Sequence, residues 1–249
     1  MAINVNTVYT TVLNILNKEQ RGYLTPDEFN KIATQVQLEI FEKFFEDYNQ
    51  YIRMPKTDVE FASRMDHIME EFQVFEKTEF ADNTTPPTSN VYAQPTDLHR
   101  FGSASWNKGT NSPPIEILSN RDYNKVKLSP LTQPTNNFPV AKYKQDKLTV
   151  FPSPTIFVNT DVTFNYIRKP LDIVWAYSVG SLGQYIYEPT NTGAGVVPTT
   201  GSVNFEISES QQTEVILEIL KYSGIIIRDP QIIQAASQEL AQEEVNSKR

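Results

Sequence analysis

The chain contains no cysteine, only two histidines and only nine glycines in 249 residues. Without cysteine there can be no disulfides, thiolate metal sites or cysteine nucleophiles. His67 and His99 alone cannot build a histidine-rich metal centre. Glycine is too sparse for a phosphate cradle, and neither G-x-G-x-x-G nor G-x-x-x-x-G-K-[ST] occurs. The nucleophile elbow G-x-S-x-G and the zinc-protease pattern H-E-x-x-H are also missing. A Ser-His-Asp triad would have to use His67, in a charged helical pattern, or His99, in the turn-like run Asp97-Leu98-His99-Arg100. No apolar run approaches the roughly 18 residues that cross a bilayer. Met1 to Asn6 has neither a basic nor a long apolar stretch, so no secretory signal is expected.

What is present supports a packed core, since 39% of residues are hydrophobic. The net charge of −8 argues against broad binding to a phosphate backbone. That charge is uneven. Residues 1–80 carry 8 basic and 14 acidic side chains, residues 81–170 carry 10 and 6, and residues 171–249 carry 4 and 10. A mildly basic centre between acidic ends fits either head-to-tail contact between copies or three differently built regions.

Proline divides the chain, because 13 of its 16 prolines lie between Pro86 and Pro198. Proline removes a backbone donor and breaks helices, so this middle is expected to be non-helical. The ends show helical spacing. Val5, Val8, Tyr9, Val12, Leu13 and Leu16 form one stripe. Thr25-Pro26-Asp27-Glu28 predicts a helix start, with Thr25 as N-cap, Pro26 in the first helical position and Glu28 closing a capping box. Phe29, Ile32, Val36, Ile40, Phe44 and Tyr48 continue one face, while Leu38, Phe41 and Phe45 add a second apolar edge. That pattern predicts packing against more than one neighbour. Thr57 and Glu60 predict the cap of a shorter helix through Met69. Near the C-terminus, Ser208 or Ser210 can cap a helix carrying Val215, Ile216, Ile219, Leu220 and Ile227. Asp229-Pro230 breaks it and starts another, with Ile232, Ile233, Ala236 and Leu240 on one face.

Short strands are expected in the middle, beginning at Phe72–Phe75. Others fall at Ile115–Leu118, Val140–Tyr143, Leu148–Phe151, Val162–Ile167, Ile173–Tyr177, Tyr185–Tyr187 and Val203–Phe205. Lys144–Lys147 reads as a hairpin turn, and Glu188–Ser202 as a polar loop that is mobile or held by a partner. The expected fold class is α+β: helical N- and C-terminal segments packed with a central antiparallel β-sandwich or barrel. The expected regions are 1–71, 72–207 and 208–249, the last sharing a layer with the first.

Asn17–Glu28 imitates a calcium loop. Asn17, Glu19, Gly22 and Glu28 fall at its first, third, sixth and twelfth positions. Arg21 puts a cation at the fifth position, where an oxygen ligand belongs, so a capped helix start explains these residues better. Tyr92, Trp106, Trp175, Tyr177, Tyr185 and Tyr187 lie in irregular, proline-rich contexts, where aromatics pack in a core, fill a protein interface or stack on sugars.

Three stretches carry a resemblance: Asn17 to Phe29 (NKEQRGYLTPDEF), Lys147 to Pro152 (KLTVFP) and Val162 to Pro170 (VTFNYIRKP). Together they resemble structural proteins of short-tailed bacteriophages, the crAss-like phages in particular, and their ring or head-to-tail connector proteins. The layout is more distantly similar to podovirus adaptors, which extend the portal channel. The resemblance implies a non-enzymatic virion protein, made in the host bacterial cytoplasm and needing neither cofactor nor metal. It also implies a closed ring, of 12 copies by analogy with portals. The implied partners are the portal protein, other ring or tail proteins, and genomic DNA that passes without specific binding; no membrane is involved. Ile225, Ile226, Ile227, Ile232, Ile233 and Leu240 are the candidate contacts to the portal or a neighbouring ring. A carbohydrate-binding β-sandwich is the alternative, and a calcium-linked module built on Asn17–Glu28 is a weaker one.

Overall fold

The computed structural model describes residues 2–18, 23–53, 69–81, 90–107, 112–152, 162–190, 196–198, 201–227 and 230–247. The helices are α1 (Val5–Lys18), α2 (Pro26–Arg53), α3 (Asn120–Leu128), α4 (Gln212–Ile227) and α5 (Pro230–Ser247). The strands are β1 (Glu76–Phe80), β2 (Val91–Ala93), β3 (Leu98–Trp106), β4 (Glu116–Ile117), β5 (Val140–Lys144), β6 (Lys147–Phe151), β7 (Val162–Arg168), β8 (Tyr177–Val179), β9 (Tyr185–Tyr187) and β10 (Val196–Val197). The chain is mixed α+β and divides into two compact units, Met1–Glu71 with Pro170–Arg249, and Phe72–Lys169.

The first unit is built on the two helical ends. Asn4 caps α1, its side-chain oxygen accepting from the Asn6 and Thr7 amides at 2.9 and 3.2 Å. Val5, Val8, Tyr9, Val12 and Leu16 are buried, as the stripe predicts. The capping box at α2 forms as expected: Thr25 N–H donates to Glu28 Oε2 at 3.0 Å and the Glu28 amide to Thr25 Oγ1 at 3.4 Å. Both apolar edges of α2 are used, with Phe29, Val36, Phe41 and Phe45 all buried. One face meets α4, where Lys43 pairs with Glu214 at 2.7 Å.

A polar stripe on α2 does the work of a missing strand. Asn30 Oδ1 accepts from the Trp175 amide at 2.7 Å, and its Nδ2 donates to the Trp175 carbonyl at 3.4 Å. Thr34 Oγ1 accepts from the Ile173 amide at 3.0 Å. Gln37 Nε2 donates to the Leu171 carbonyl at 2.7 Å, and its Oε1 accepts from the Glu206 amide at 2.8 Å. Alternate residues 171, 173 and 175 of an extended segment thus find their backbone partners on a helix, which satisfies groups that burial would otherwise strand. For this reason residues 170–207 belong with the helical ends, and the middle region stops at Lys169 rather than at residue 207.

The second unit holds two sheets around one core. The first has strand order β1-β7-β3 and is antiparallel throughout. The second has order β2-β6-β5-β4, and its β4–β5 pair is parallel, an exception to the antiparallel expectation. Tyr92, Trp106, Leu148, Val150, Val162 and Phe164 interlock between them. This is the sandwich form of the expected fold, and no barrel closes among the described residues. Gly102 sits at a bulge in β3, where a Cβ would come within 2.8 Å of the Asn165 carbonyl oxygen. The predicted β5–β6 turn forms with Gln145 and Asp146 at φ 52° and 57°, the paired left-handed geometry of a two-residue hairpin.

Several expectations are corrected. Phe72 closes a helical turn over residues 69–73, and β1 begins only at Glu76. The proline-rich middle does contain a helix, α3, because Pro114 and Pro130 leave a proline-free window between them. Ser119 caps it, accepting from the Asp122 amide at 3.2 Å. Within the expected loop Glu188–Ser202, Val196 and Val197 pair with β8. Val203 makes only an isolated bridge to Val174. Ser208 starts a 3-10 turn over Glu209–Gln211 but makes no side-chain cap bond. Of the helix expected from Thr57 through Met69, Met69 is described and is helical, whereas the part before it and His67 lie outside the described residues.

Candidate interaction surface

The surface that stands out in the first unit is the small sheet β10-β8-β9. Its seat is a run of aromatic rings. Phe29 on α2 meets Tyr9 on α1 with centroids 4.7 Å apart, and Tyr9 meets Trp175 at 4.5 Å. Trp175 in turn stacks on Tyr177 at 5.9 Å and on Tyr187 at 5.6 Å, and Tyr177 meets Tyr185 edge-on at 4.7 Å. The Trp175 indole N–H donates to Asn6 Oδ1 at 3.0 Å, and the Tyr9 hydroxyl donates to the Leu24 carbonyl at 3.1 Å. Burial holds the Tyr9 phenol well above its ordinary pKa, so it remains a donor. These rings hold the hairpin's root against two helices.

Around that seat aliphatic side chains are exposed on both faces of the sheet: Val179 and Val197 on the face that carries Tyr177, Tyr185 and Tyr187, Ile186 on the other with Ser178 and Val196, and Leu182 in the β8–β9 turn. Val179 is 57% exposed, Leu182 91%, Ile186 46% and Val197 49%. Exposed aliphatic residues concentrated on one three-stranded sheet mark an interaction surface. Beside them runs a groove of about 550 Å³ lined by Tyr9, Tyr23, Trp175, Gln184 and Tyr185. Of the six aromatics singled out in the sequence, Tyr92, Trp106 and Trp175 are core residues, Tyr177 and Tyr187 are half-buried, and Tyr185 is exposed. Only Tyr185 of these, with Tyr23 from before α2, offers substantial ring surface to the groove.

The second unit carries a charged cluster on its first sheet. Lys77 Nζ lies 3.0 Å from both Glu79 Oε2 and Asp97 Oδ2. The Tyr166 hydroxyl lies 2.7 Å from Asp97 Oδ1 and 2.9 Å from Glu79 Oε2. Burial pushes Asp97 up, but the Tyr166 hydrogen bond and Lys77 outweigh it, leaving its carboxyl below the ordinary value. Burial and the two carboxylates push Tyr166 far up, so the phenol stays protonated and serves as a clamp rather than a base. The cluster joins β1, β7 and the start of β3. Its chemistry is that of a staple.

The structure brings together residues that the sequence did not single out. Ile225, Ile226 and Ile227 end α4, and Ile232 and Ile233 open α5, but their side chains lie outside the described residues. Leu240 is half-buried on α5. Val179, Leu182, Ile186 and Val197 were missed. Their signal was the Y-I-Y triplet Tyr185–Tyr187, facing a second apolar pair across a glycine-bounded turn. His99 is half-buried on β3. At the calcium-like segment, the Glu28 carboxylate that would end a metal loop is engaged by Thr25, whose hydroxyl donates to it at 2.7 Å. Among the described residues no group of three or more acidic or histidine side chains could hold a metal ion. None of the described helices is long and apolar enough to cross a membrane. No protein-family model and no curated protein matches this chain.

Proposed function

We propose that this protein is a non-enzymatic structural subunit of a bacteriophage virion, a ring-forming head-to-tail connector that extends the portal channel and links capsid to tail. The observation that supports this best is the group of exposed aliphatics, Val179, Leu182, Ile186 and Val197, on the small sheet and turn rooted by the aromatic seat. A rigidly rooted hairpin that exposes aliphatic side chains is what a permanent protein contact needs, since little ordering cost then attends its burial. Rings close through heterologous contacts, in which one patch meets a different patch on the next copy. In this reading the subunit closes a ring of 12 copies, and the isoleucines flanking Asp229-Pro230 meet the portal or the next ring. DNA passes through the channel without being held.

Mass photometry and negative-stain imaging of particles from infected cells test the proposal. A closed ring of about 12 copies on the axis of a larger complex is expected. A subunit that remains monomeric and separate from particles refutes it. The second reading is carbohydrate binding in the groove between Tyr23 and Tyr185. It predicts thermal stabilisation by host surface glycans that Y185A abolishes.

A further inference from the structure

The two units differ sharply in charge. Residues 72–169 carry 11 basic and 8 acidic side chains, and the remaining residues 11 and 22. In the basic unit the surplus is concentrated. Lys144 and Lys147 stand directly opposite one another at the β5–β6 turn, a like-charge pairing that costs the hairpin stability. Lys142 shares their face of β5, where it donates to Asn120 Oδ1 at 3.1 Å and lies 3.8 Å from the Tyr123 ring centroid of α3. That places α3, with exposed Arg121, Lys125 and Lys127, over the same face. Lys125 has Asp122 at 4.0 Å, whereas no described carboxylate pairs with Arg121, Lys127, Lys144 or Lys147. At the end of α3 and just past it the chain exposes Leu128 at 84% and Leu131 at 95%. Cations mixed with large exposed aliphatics suit a protein partner better than a bare phosphate backbone, which offers nothing to cover leucine.

The other unit supplies the complement. Helix α5 contains Glu239, Glu243 and Glu244 and no lysine or arginine. The helix is therefore net negative in sequence, and a cationic surface complements it. We propose that the basic face formed by α3 and the β5–β6 hairpin docks on the acidic helical unit of a second copy of this chain, with Lys144 and Lys147 meeting the acidic end of α5. This contact is the lateral, head-to-tail joint of the ring, and it rests on the ring-forming reading above.

The test is sedimentation velocity of the full chain between 50 and 500 mM salt. Wild-type self-association is expected to weaken steadily with salt. K144E/K147E is expected to associate about tenfold more weakly at 100 mM salt while keeping its far-UV spectrum and melting temperature. Adding E239K/E244K to that variant is expected to restore association, which a merely misfolded hairpin would not allow. If wild type assembles while K144E/K147E assembles equally well, the assignment of this joint is overturned and the ring reading stands. A wild type that stays monomeric at every salt overturns both. If a 30-base-pair duplex binds wild type and loses K144E/K147E, with self-association unchanged, the face is a nucleic-acid surface and the proposal is wrong.

Discussion

Replacing Tyr166 with phenylalanine removes one oxygen atom and should loosen a three-strand staple. The hydroxyl sits 2.7 Å from Asp97 and 2.9 Å from Glu79. A hydrogen bond to a charged group contributes about 1.5–3 kcal/mol when its partner is dry. Here Asp97 is 34% exposed and Glu79 46%, and both keep Lys77, so water and the ammonium recover part of the loss. The net cost is therefore about 1–2 kcal/mol, and the pH dependence has a defined sign. Asp97 is depressed in the folded state, so its contribution is present above its unfolded pKa near 4 and disappears as pH falls through the folded value. Tyr166 is raised in the folded state, so its contribution is present below about 10 and disappears as pH climbs beyond that. The gap between wild type and Y166F should be widest near pH 7 and close at both extremes. The two tryptophans make this measurable, because Trp106 belongs to the second unit and Trp175 to the first. Urea unfolding of 5-fluorotryptophan-labelled protein, followed by fluorine NMR, reads the Trp106 resonance separately. An expected midpoint shift of about 1 M urea at pH 7 should vanish near pH 2. A gap that stays constant from pH 2 to pH 7 would show that the hydroxyl contributes packing and no charge-coupled clamp.

Three further outcomes are expected. T25A should cost about 1 kcal/mol by removing the cap of α2, and T25S should recover most of it in thermal melts. N30A leaves the Trp175 amide without its 2.7 Å acceptor and should cost about 1–3 kcal/mol, with faster hydrogen exchange at that amide. I232E or I233E should leave the subunit folded but prevent its incorporation into the connector, read by co-purification with the portal from infected cells. A folded variant that is still incorporated removes those isoleucines from the axial contact.

The helical ends were legible because their residues interact locally. The Thr25–Glu28 box and the Val5–Leu16 stripe each declare themselves within a few turns of helix. The turn at Gln145-Asp146 was legible for the same reason. Helix α3 was not, because the prolines dense across residues 86–198 mask the proline-free stretch, between Pro114 and Pro130, that contains it. The boundary at Lys169 was also hidden. It depends on Asn30, Thr34 and Gln37, polar residues beside an apolar stripe, which look like solvent-facing positions until a segment more than 130 residues away lies against them. The exposed sheet was missed because exposure belongs to tertiary structure. Val179 and Leu182 resemble core residues in sequence, and only folding leaves them uncovered.

The polar stripe on α2 also has a mechanical meaning. Asn30, Thr34 and Gln37 meet residues 175, 173 and 171 in antiparallel order. Seven helical residues advance about 10 Å, and four extended ones about 13 Å, so helix and segment keep nearly the same stride. Tension along residues 171–175 therefore loads these side-chain bonds together, in shear, instead of peeling them one at a time. A strap fastened in that way is stiff along its length and weak to lifting. The segment leads directly into β8, so a pull on the exposed hairpin is passed to the body of a 28-residue helix rather than absorbed by a loop.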